Sequence, residues 1–451
     1  MSMMPLERVA VLYRYWLTRR RSRKWTDRES LERWQDKRVR SHLKRVRRES
    51  PFYRELWGDR DDASWRELPV IDKAAMMEHF DTLNTVGVKR EKAFATALEA
   101  ERTRDFTPTI GKVTIGLSSG TTGSRGLFLV SREERLAWAG AVLAKVLPGS
   151  IADEHRIAFF LRADSNLYET VGGGRLQFKF YDLLDPLALH LARLRKMKPT
   201  LLVAPPSMLR VLAEAQRSGK LRLNPAKIVS VAEALDPLDR AYIEETFGQR
   251  LHQVYQCTEG FLGSTCAHGT IHINEDIVCV QKEYIDRDLR KFVPIVTDFS
   301  RRTQPIVRYR LNDVLTERET PCPCGSPFLA IESIEGRCDD LFYFPATDGD
   351  GWVRVFPDFI TRAILAASAD ITAYRVVQHA PDRLCVYLDV PEPYRPKARD
   401  WVKAELARLC ERLGCRMPDV EFKDETFMTG NRKLRRVERR FAFEPDPELV
   451  R

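Results

Sequence analysis

The order of segments predicts an α/β protein, with a large first domain of mainly parallel sheets flanked by helices and then a small α+β domain. Three observations carry that prediction. At 451 residues the chain exceeds what one small core organises, so two or three folding units are expected. From 156 to 256, short apolar runs alternate with helix-patterned segments, the rhythm of buried parallel strands covered on both faces. After about 335 the rhythm changes to paired strands around one long amphipathic helix, the content of a separate domain.

Each element has its own reason. Residues 1–60 are charged and helix-patterned, a basic helical extension in which "SPFYREL" (50–56) closes a hairpin that packs on a larger body. "LPVIDKAAMMEHF" (68–80) supplies a Pro-marked turn and then a helix. "RIAFFLRA" (156–163), "PTLLVAPP" (199–206), "KIVSVAEAL" (227–235) and "RLHQVYQ" (250–256) are apolar runs of strand length. Between them, "SMLRVLAEAQRSG" (207–219) and "PLDRAYIEETFG" (237–248) are helices that end in glycine. In the last domain, "TAYRVVQHA" (372–380) and "RLCVYLDV" (383–390) are strands joined by a Pro-Asp turn. "PYRPKARDWVKAELARLCERLG" (393–414) is an amphipathic helix and "DVEFKDE" (419–425) a final strand.

Composition excludes several classes. With 43% hydrophobic and 31% charged residues, the chain reads as an ordinary soluble globular protein. No stretch approaches the roughly 18–20 apolar residues that span a membrane. The run Val9–Leu17 is short, holds Arg14 and precedes no small-residue cleavage site, so a cytoplasmic location is expected. The net charge of +10 is concentrated in "RRRSRKW" (19–25) and "KRVRSHLKRVRR" (37–48). Such runs can track phosphates of nucleic acid or anionic lipid. Interleaved with Glu29, Glu32 and Asp36, they read as a solvated helix face, and no nucleic-acid partner is expected. Nine cysteines, an odd number spread over a long chain, do not suggest a disulfide framework.

"LSSGTTGSRG" (117–126) follows the β-branched run Val113-Thr114-Ile115. Its three glycines allow close backbone approach, and Ser118, Ser119, Thr121, Thr122 and Ser124 add hydroxyls that suit nucleotide phosphates. Arg125 adds a charged fork. Alone, the segment is as much a flexible turn as a cradle. It is followed, in order, by "VYQCTEG" (254–260), "VRYRLND" (307–313), "EGRCDDL" (335–341) and "TGNRKLRRV" (429–437). That ordered set resembles the adenylate-forming superfamily of acyl- and aryl-CoA ligases, in particular its phenylacetate-CoA ligase and coenzyme F390 synthetase-related branch, over nearly the whole chain.

The resemblance implies an adenylating domain over 1–336 and a lid domain over 337–451, with a hinge near Asp339. It implies that Ser118, Ser119, Gly120, Thr121, Thr122, Gly123 and Arg125 belong to a loop closing over ATP phosphates. Ala232, Glu233 and Ala234, with Tyr255 and Gln256, would lie on the adenine side. Thr258 would meet the α-phosphate and Glu259 would hold Mg²⁺. Asp313 would grip the ribose hydroxyls with Arg337 beside it, and Lys433 would stabilise the adenylation transition state. Charge builds up when a carboxylate attacks phosphorus, so a lysine and Mg²⁺ are the groups such chemistry needs.

Soft ligands cluster in "CAHGTIH" (266–272) and "CPC" (322–324). Within the resembled branch these spacings imply a structural Zn²⁺ on Cys266, His272, Cys322 and Cys324, a Cys₃His set. His268 competes with His272, and the "IHINED" context favours the latter. Cys257 is expected to line the nucleotide pocket.

Some segments depart from the family pattern. Arg125 replaces a usual lysine, Asn312 precedes Asp313, and Arg432 stands before Lys433 where glycine is usual, leaving Lys423 as an alternative. "LFYFPATDGDGWVRVFP" (341–357) reads as an inserted hairpin with Asp348 and Asp350 at its tip. It makes adenylation a firmer expectation than thioester formation. The leading reading is Mg·ATP-dependent activation of a small-molecule carboxylic acid, then transfer to CoA, a carrier or another nucleophile; a dimer is one option for its oligomeric state. The alternatives are an adenylyl transferase acting on a hydroxylated acceptor and a non-catalytic nucleotide-binding or membrane-peripheral module. Phe159, Phe160, Tyr168, Phe178, Phe180 and Phe261 are candidates for an apolar acid pocket or for core.

Overall fold

The apolar runs become neighbouring parallel strands. In sheet order, Leu176–Asp182, His155–Leu161, Leu201–Ala204, Lys227–Ser230 and Leu251–Cys257 run side by side in parallel. The computed structural model describes residues 5–103, 107–118, 125–161, 175–349, 351–423, 435–443, 445–446 and 449–450. They form two compact units. The larger comprises Met1–Leu235, Asp239–Leu311 and Leu315–Ser333, and the smaller comprises Ile334–Arg451 with Asp236–Leu238 and Asn312–Val314.

Helices sandwich the parallel strands because both faces are apolar. On one side Leu191, Leu194, Leu209, Leu212 and Ile243 from three helices meet Phe160, Leu202 and Ile228. On the other, the helix Arg132–Val146 lays Ala139, Leu143 and Val146 on Ile157, Val203 and Val229. A capping box starts that helix, with Ser131 and Glu134 satisfying each other's backbone N–H groups. The helix Pro5–Ser22 packs on it through Val11 and Tyr15. There, a Cβ on Gly140 would lie 2.6 Å from Arg14 Cβ and 2.7 Å from the Val11 carbonyl oxygen.

Beyond Leu251–Cys257 the same twelve-stranded sheet turns antiparallel. Gly260–Thr265, Ile271–Ile273, Ala330–Arg337, Asp313–Glu317, Lys291–Asp298 and Val278–Asp286 follow in that order, with Ile306–Arg310 also pairing Lys291–Asp298. The parallel ladder is thus one half of a mixed sheet. A separate antiparallel sheet orders Thr109–Ile110, Val113–Leu117 and Leu127–Ser131, and in sequence the glycine-rich segment connects the last two.

The extension docks by buried polar contacts as well as apolar ones. From the helix Arg28–Glu49, Gln35 Nε2 donates to the carbonyls of Glu275 and Val278 at 2.9 and 3.1 Å. From the helix Arg132–Val146 of the body, Lys145 Nζ pairs with the buried Asp276 at 2.9 Å. The "INED" run is therefore an interior polar knot, with Asn274, Glu275 and Asp276 each 1% exposed.

The smaller unit has its own core. A four-stranded sheet in the order Asp419–Lys423, Arg383–Asp389, Ala373–Ala380, Val437–Arg439 packs on the helices Pro357–Ala367 and Arg395–Leu413 through Val376, Val386, Ile360, Val402 and Leu406. The expected hairpin is present as Phe342–Pro345 paired with Trp352–Val355. Asp350 lies outside the described residues.

Candidate functional site

Two expected segments begin where adjacent parallel strands end. Ala232-Glu233-Ala234 follows Lys227–Ser230, and Thr258-Glu259 follows its neighbour Leu251–Cys257. The crevice outside the carboxyl ends of parallel strands is the usual ligand position in open α/β sheets. Ala232 has a φ of 67°, and the Glu233 N–H donates back to the Val231 carbonyl at 2.9 Å. This γ-turn is strained for a residue with a Cβ. It stops the strand at Ser230, five residues short of the apolar run's end. The Ser207 N–H donates to Glu233 Oε2 at 3.4 Å, and the Trp138 indole donates to Gln256 Oε1 at 3.1 Å. Tyr255 is buried in the same strand.

The carboxylate of Glu259 is held at both oxygens. Tyr309 donates its hydroxyl to Oε1 at 3.1 Å and Thr258 donates to Oε2 at 3.0 Å. Burial, and after it the Glu259 charge, push the Tyr309 phenol far above its ordinary value, so it remains a donor. Arg301 supports the turn by donating to the Thr258 carbonyl at 3.4 Å and the Leu129 carbonyl at 3.0 Å. Asp298 lies beneath, where burial pushes its carboxyl up to about 6 against the opposing Ser300 and Arg301 contacts. A Cβ at position 260 would lie 2.7 Å from Asp298 Oδ2, so glycine lets the turn sit on this carboxyl.

At the glycine-rich hairpin, Ser118 and Gly126 close the neck. The Ser118 N–H donates to the Gly126 carbonyl at 2.8 Å, and the Gly126 N–H donates to Ser118 Oγ at 2.7 Å. Arg125 turns its guanidinium onto Glu101 as a bidentate pair, one arm at 2.7 Å. Ser119, Gly120, Thr121, Thr122 and Gly123 lie outside the described residues, as does Lys433.

In the smaller unit, Asn312 links the expected ribose and hinge carboxylates. Its Nδ2 donates to Asp339 Oδ2 at 2.7 Å, its carbonyl accepts from Cys338 N–H at 2.9 Å, and Asp313 follows it at the start of a strand. Arg337 ends the strand Ala330–Arg337 immediately before the turn holding Asp339. Asp340 is buried and paired with Arg435.

Four soft donors converge in the larger unit. The ligand atoms of Cys266, His272, Cys322 and Cys324 all lie within 4.8 Å of one another. Cys266 Sγ is 3.7 Å from Cys322 Sγ, and Cys324 Sγ is 3.3 Å from His272 Nε2. With Zn–S near 2.3 Å and Zn–N near 2.0 Å, tetrahedral ligands stand roughly 3.5–3.8 Å apart, so the donor set fits zinc. His272 Nδ1 lies 3.0 Å from the Phe328 carbonyl. Donation there leaves Nε2 as the free lone pair facing the sulfurs. His268 is on an exposed turn outside this group.

Of the aromatic candidates, Phe160 and Phe261 are core. Phe159 and Phe178 form a half-buried ring pair at 5.6 Å, Phe180 is half-buried on the same edge strand, and Tyr168 lies outside the described residues. The sequence reading did not single out Tyr309, Trp138 or Arg301. Tyr309 lies inside the quoted "VRYRLND", but nothing local marks it as the donor to a glutamate fifty residues earlier.

No family model matches this chain, and no curated protein matches it. Solved structures do. A 2-hydroxyisobutyryl-CoA ligase in complex with R3-HIB-AMP superposes with a TM-score of 0.70 at 19% identity, covering 95% of this chain and 92% of that one. The same ligase in complex with 2-HIB-AMP and CoA gives 0.57 at 20%, covering 93% and 92%. A GH3.15 acyl acid amido synthetase gives 0.55 at 14%, covering 88% and 86%. The fold is therefore that of adenylate-forming enzymes.

Proposed function

We propose that this chain is an adenylate-forming ligase of the phenylacetate-CoA ligase-related branch, converting a small-molecule carboxylic acid and ATP into acyl-AMP and pyrophosphate. The observation that carries this reading is the pair of segments, Ala232–Ala234 and Thr258–Glu259, at the carboxyl ends of adjacent parallel strands. The first would border the adenine and the second the α-phosphate, with the glycine-rich loop on the leaving pyrophosphate.

In the step itself, a carboxylate oxygen of the acid forms a bond to the α-phosphorus while the bond to the bridging oxygen of pyrophosphate breaks. Thr258 would donate to a phosphate oxygen, and Lys433 would place its ammonium where negative charge grows. Asp313, an acceptor-only carboxylate, would take both ribose hydroxyls, with Arg337 beside it and Asp339 at the hinge. Glu259 suits Mg²⁺, which is commonly held by one carboxylate plus substrate phosphates and supplies charge neutralisation. Its oxygens keep lone pairs beyond those taken by Tyr309 and Thr258. Cys266, His272, Cys322 and Cys324 would hold a structural Zn²⁺. The acyl group would then pass to CoA, a carrier or an amine in a cytoplasmic enzyme.

ATP–pyrophosphate exchange across a panel of carboxylic acids tests the reading. Exchange that requires an acid is expected. Lys433→Ala should abolish it, and Glu259→Gln should slow it by roughly 100-fold, with unchanged melting in both. ATP binding without exchange for any acid would overturn it in favour of a nucleotide-binding module.

A further inference from the structure

A surface helix normally turns its apolar side inward and its polar side to water. The helix Pro5–Ser22 has an apolar stripe on its outer side as well. Val11, Tyr15 and Thr18 face the body and are buried. On the opposite side, Leu6, Val9, Tyr13 and Trp16 stand 81, 63, 63 and 59% exposed. Their spacing of three and four residues places them in one line, about 15 Å long. Arg20 continues that line and is exposed. The only acid in the helix, Glu7, pairs with Arg132 of the body at 2.8 Å. Arg23 and Lys24 are exposed just past the helix end.

We propose that this stripe docks the protein on an anionic phospholipid surface. Tyr and Trp beside aliphatic residues, with Arg20, Arg23 and Lys24 at one end, are what an interfacial helix offers to the boundary of headgroups and acyl chains. Charge complementarity selects the occupant. With Glu7 turned to the body, the only charges on and just past the stripe among the described residues are the exposed Arg20, Arg23 and Lys24, so a second copy would set like charges against one another. One helix-wide stripe also falls short of the roughly 800 Å² per partner of a stable protein interface. Among the described residues no helix is long and apolar enough to cross a membrane, so the helix lies on the surface. Its inner face stays packed on the helix Arg132–Val146, and docking requires no rearrangement.

Co-sedimentation of the full chain with vesicles tests this, using phosphatidylcholine alone and phosphatidylcholine mixed with phosphatidylglycerol. Binding to the mixed vesicles is expected to be at least about tenfold tighter and to weaken as salt rises. The double variant Tyr13→Glu, Trp16→Glu should lose it, and Arg20→Ala should weaken it several-fold. These side chains are exposed, so melting and acid-dependent exchange should not change in either variant. Failure to pellet with mixed vesicles overturns the proposal. So does pelleting that the double variant leaves intact, or a concentration-dependent dimer that the double variant dissolves.

Discussion

His42 is buried on the inner stripe of the helix Arg28–Glu49, with Leu31, Gln35, Val39, Leu43 and Val46. Its Nε2 finds no hydrogen-bond partner among the described residues. Burial, helped by Arg45, Arg302 and Arg38 and opposed by Glu134, holds the ring down at about 3. The unfolded chain would titrate near 6.5. Between those values the unfolded state binds a proton that the folded state refuses, so stability falls as the pH drops. The penalty is absent above about 6.5, grows by up to about 1.4 kcal/mol per pH unit and levels off near 3. His42→Leu, close in size and without a proton to bind, should flatten this acid limb. Urea midpoints at neutral pH and at about pH 5 check it; the native midpoint should fall more steeply than the variant's. Residues also limited what could be read locally. "KIVSVAEAL" is apolar through Leu235, yet the strand stops at Ser230 because Ala232 enters a conformation that composition does not announce. Asn312, a departure from the family pattern with no evident consequence, turns out to bond Asp339.

Among the elements, legibility followed burial. The inner parallel strands Leu201–Ala204 and Lys227–Ser230 were visible because they are buried on both faces and nearly continuously apolar. The antiparallel half was not, since an edge strand such as Val278–Asp286, paired with the strand Lys291–Asp298 that follows it, carries Gln281, Lys282 and Glu283 and so breaks the apolar run. Leu176–Asp182 alternates buried and exposed residues on the sheet edge and was passed over for the same reason. The "IHINED" run holds the candidate ligand His272 and also seats the N-terminal helix Arg28–Glu49, where Arg28 pairs with Glu275 and Gln35 donates to the Glu275 carbonyl. How closely the helix Pro5–Ser22 is seated is testable at Gly140. A methyl there would approach Arg14 Cβ, the Val11 oxygen and Tyr15 nitrogen within 2.6–2.9 Å, and two of these are backbone atoms that cannot rotate away. The overpacking costs about 1–3 kcal/mol, more than the helix propensity of up to about 1 kcal/mol that alanine returns. Gly140→Ala should therefore lower the melting temperature and speed amide exchange in the helix Pro5–Ser22, read by mass spectrometry.

At the scale of the molecule, two compact units with separate apolar cores need not melt together. All four candidate zinc ligands lie in the larger one: Cys266 on the turn after Gly260–Thr265, His272 in the strand Ile271–Ile273, and Cys322 and Cys324 on the loop before Ala330–Arg337. A tetrahedral ion there would cross-link segments about fifty residues apart. It would also neutralise three sulfurs crowded within one ligand sphere. Binding energy of this kind is folding energy for the segments it joins. Removing the ion should then act on one unit and spare the other. Calorimetry of the full chain should resolve two transitions, and a chelator should lower only the one belonging to the larger unit. Cys322→Ser should reproduce that shift without chelator, together with loss of zinc by elemental analysis. A core deletion separates the transitions independently, since Val402→Ala in the smaller unit's core should destabilise only the other one, by roughly 2–3 kcal/mol. If chelation moved both transitions equally, the ion would be holding the whole molecule rather than one corner of its sheet.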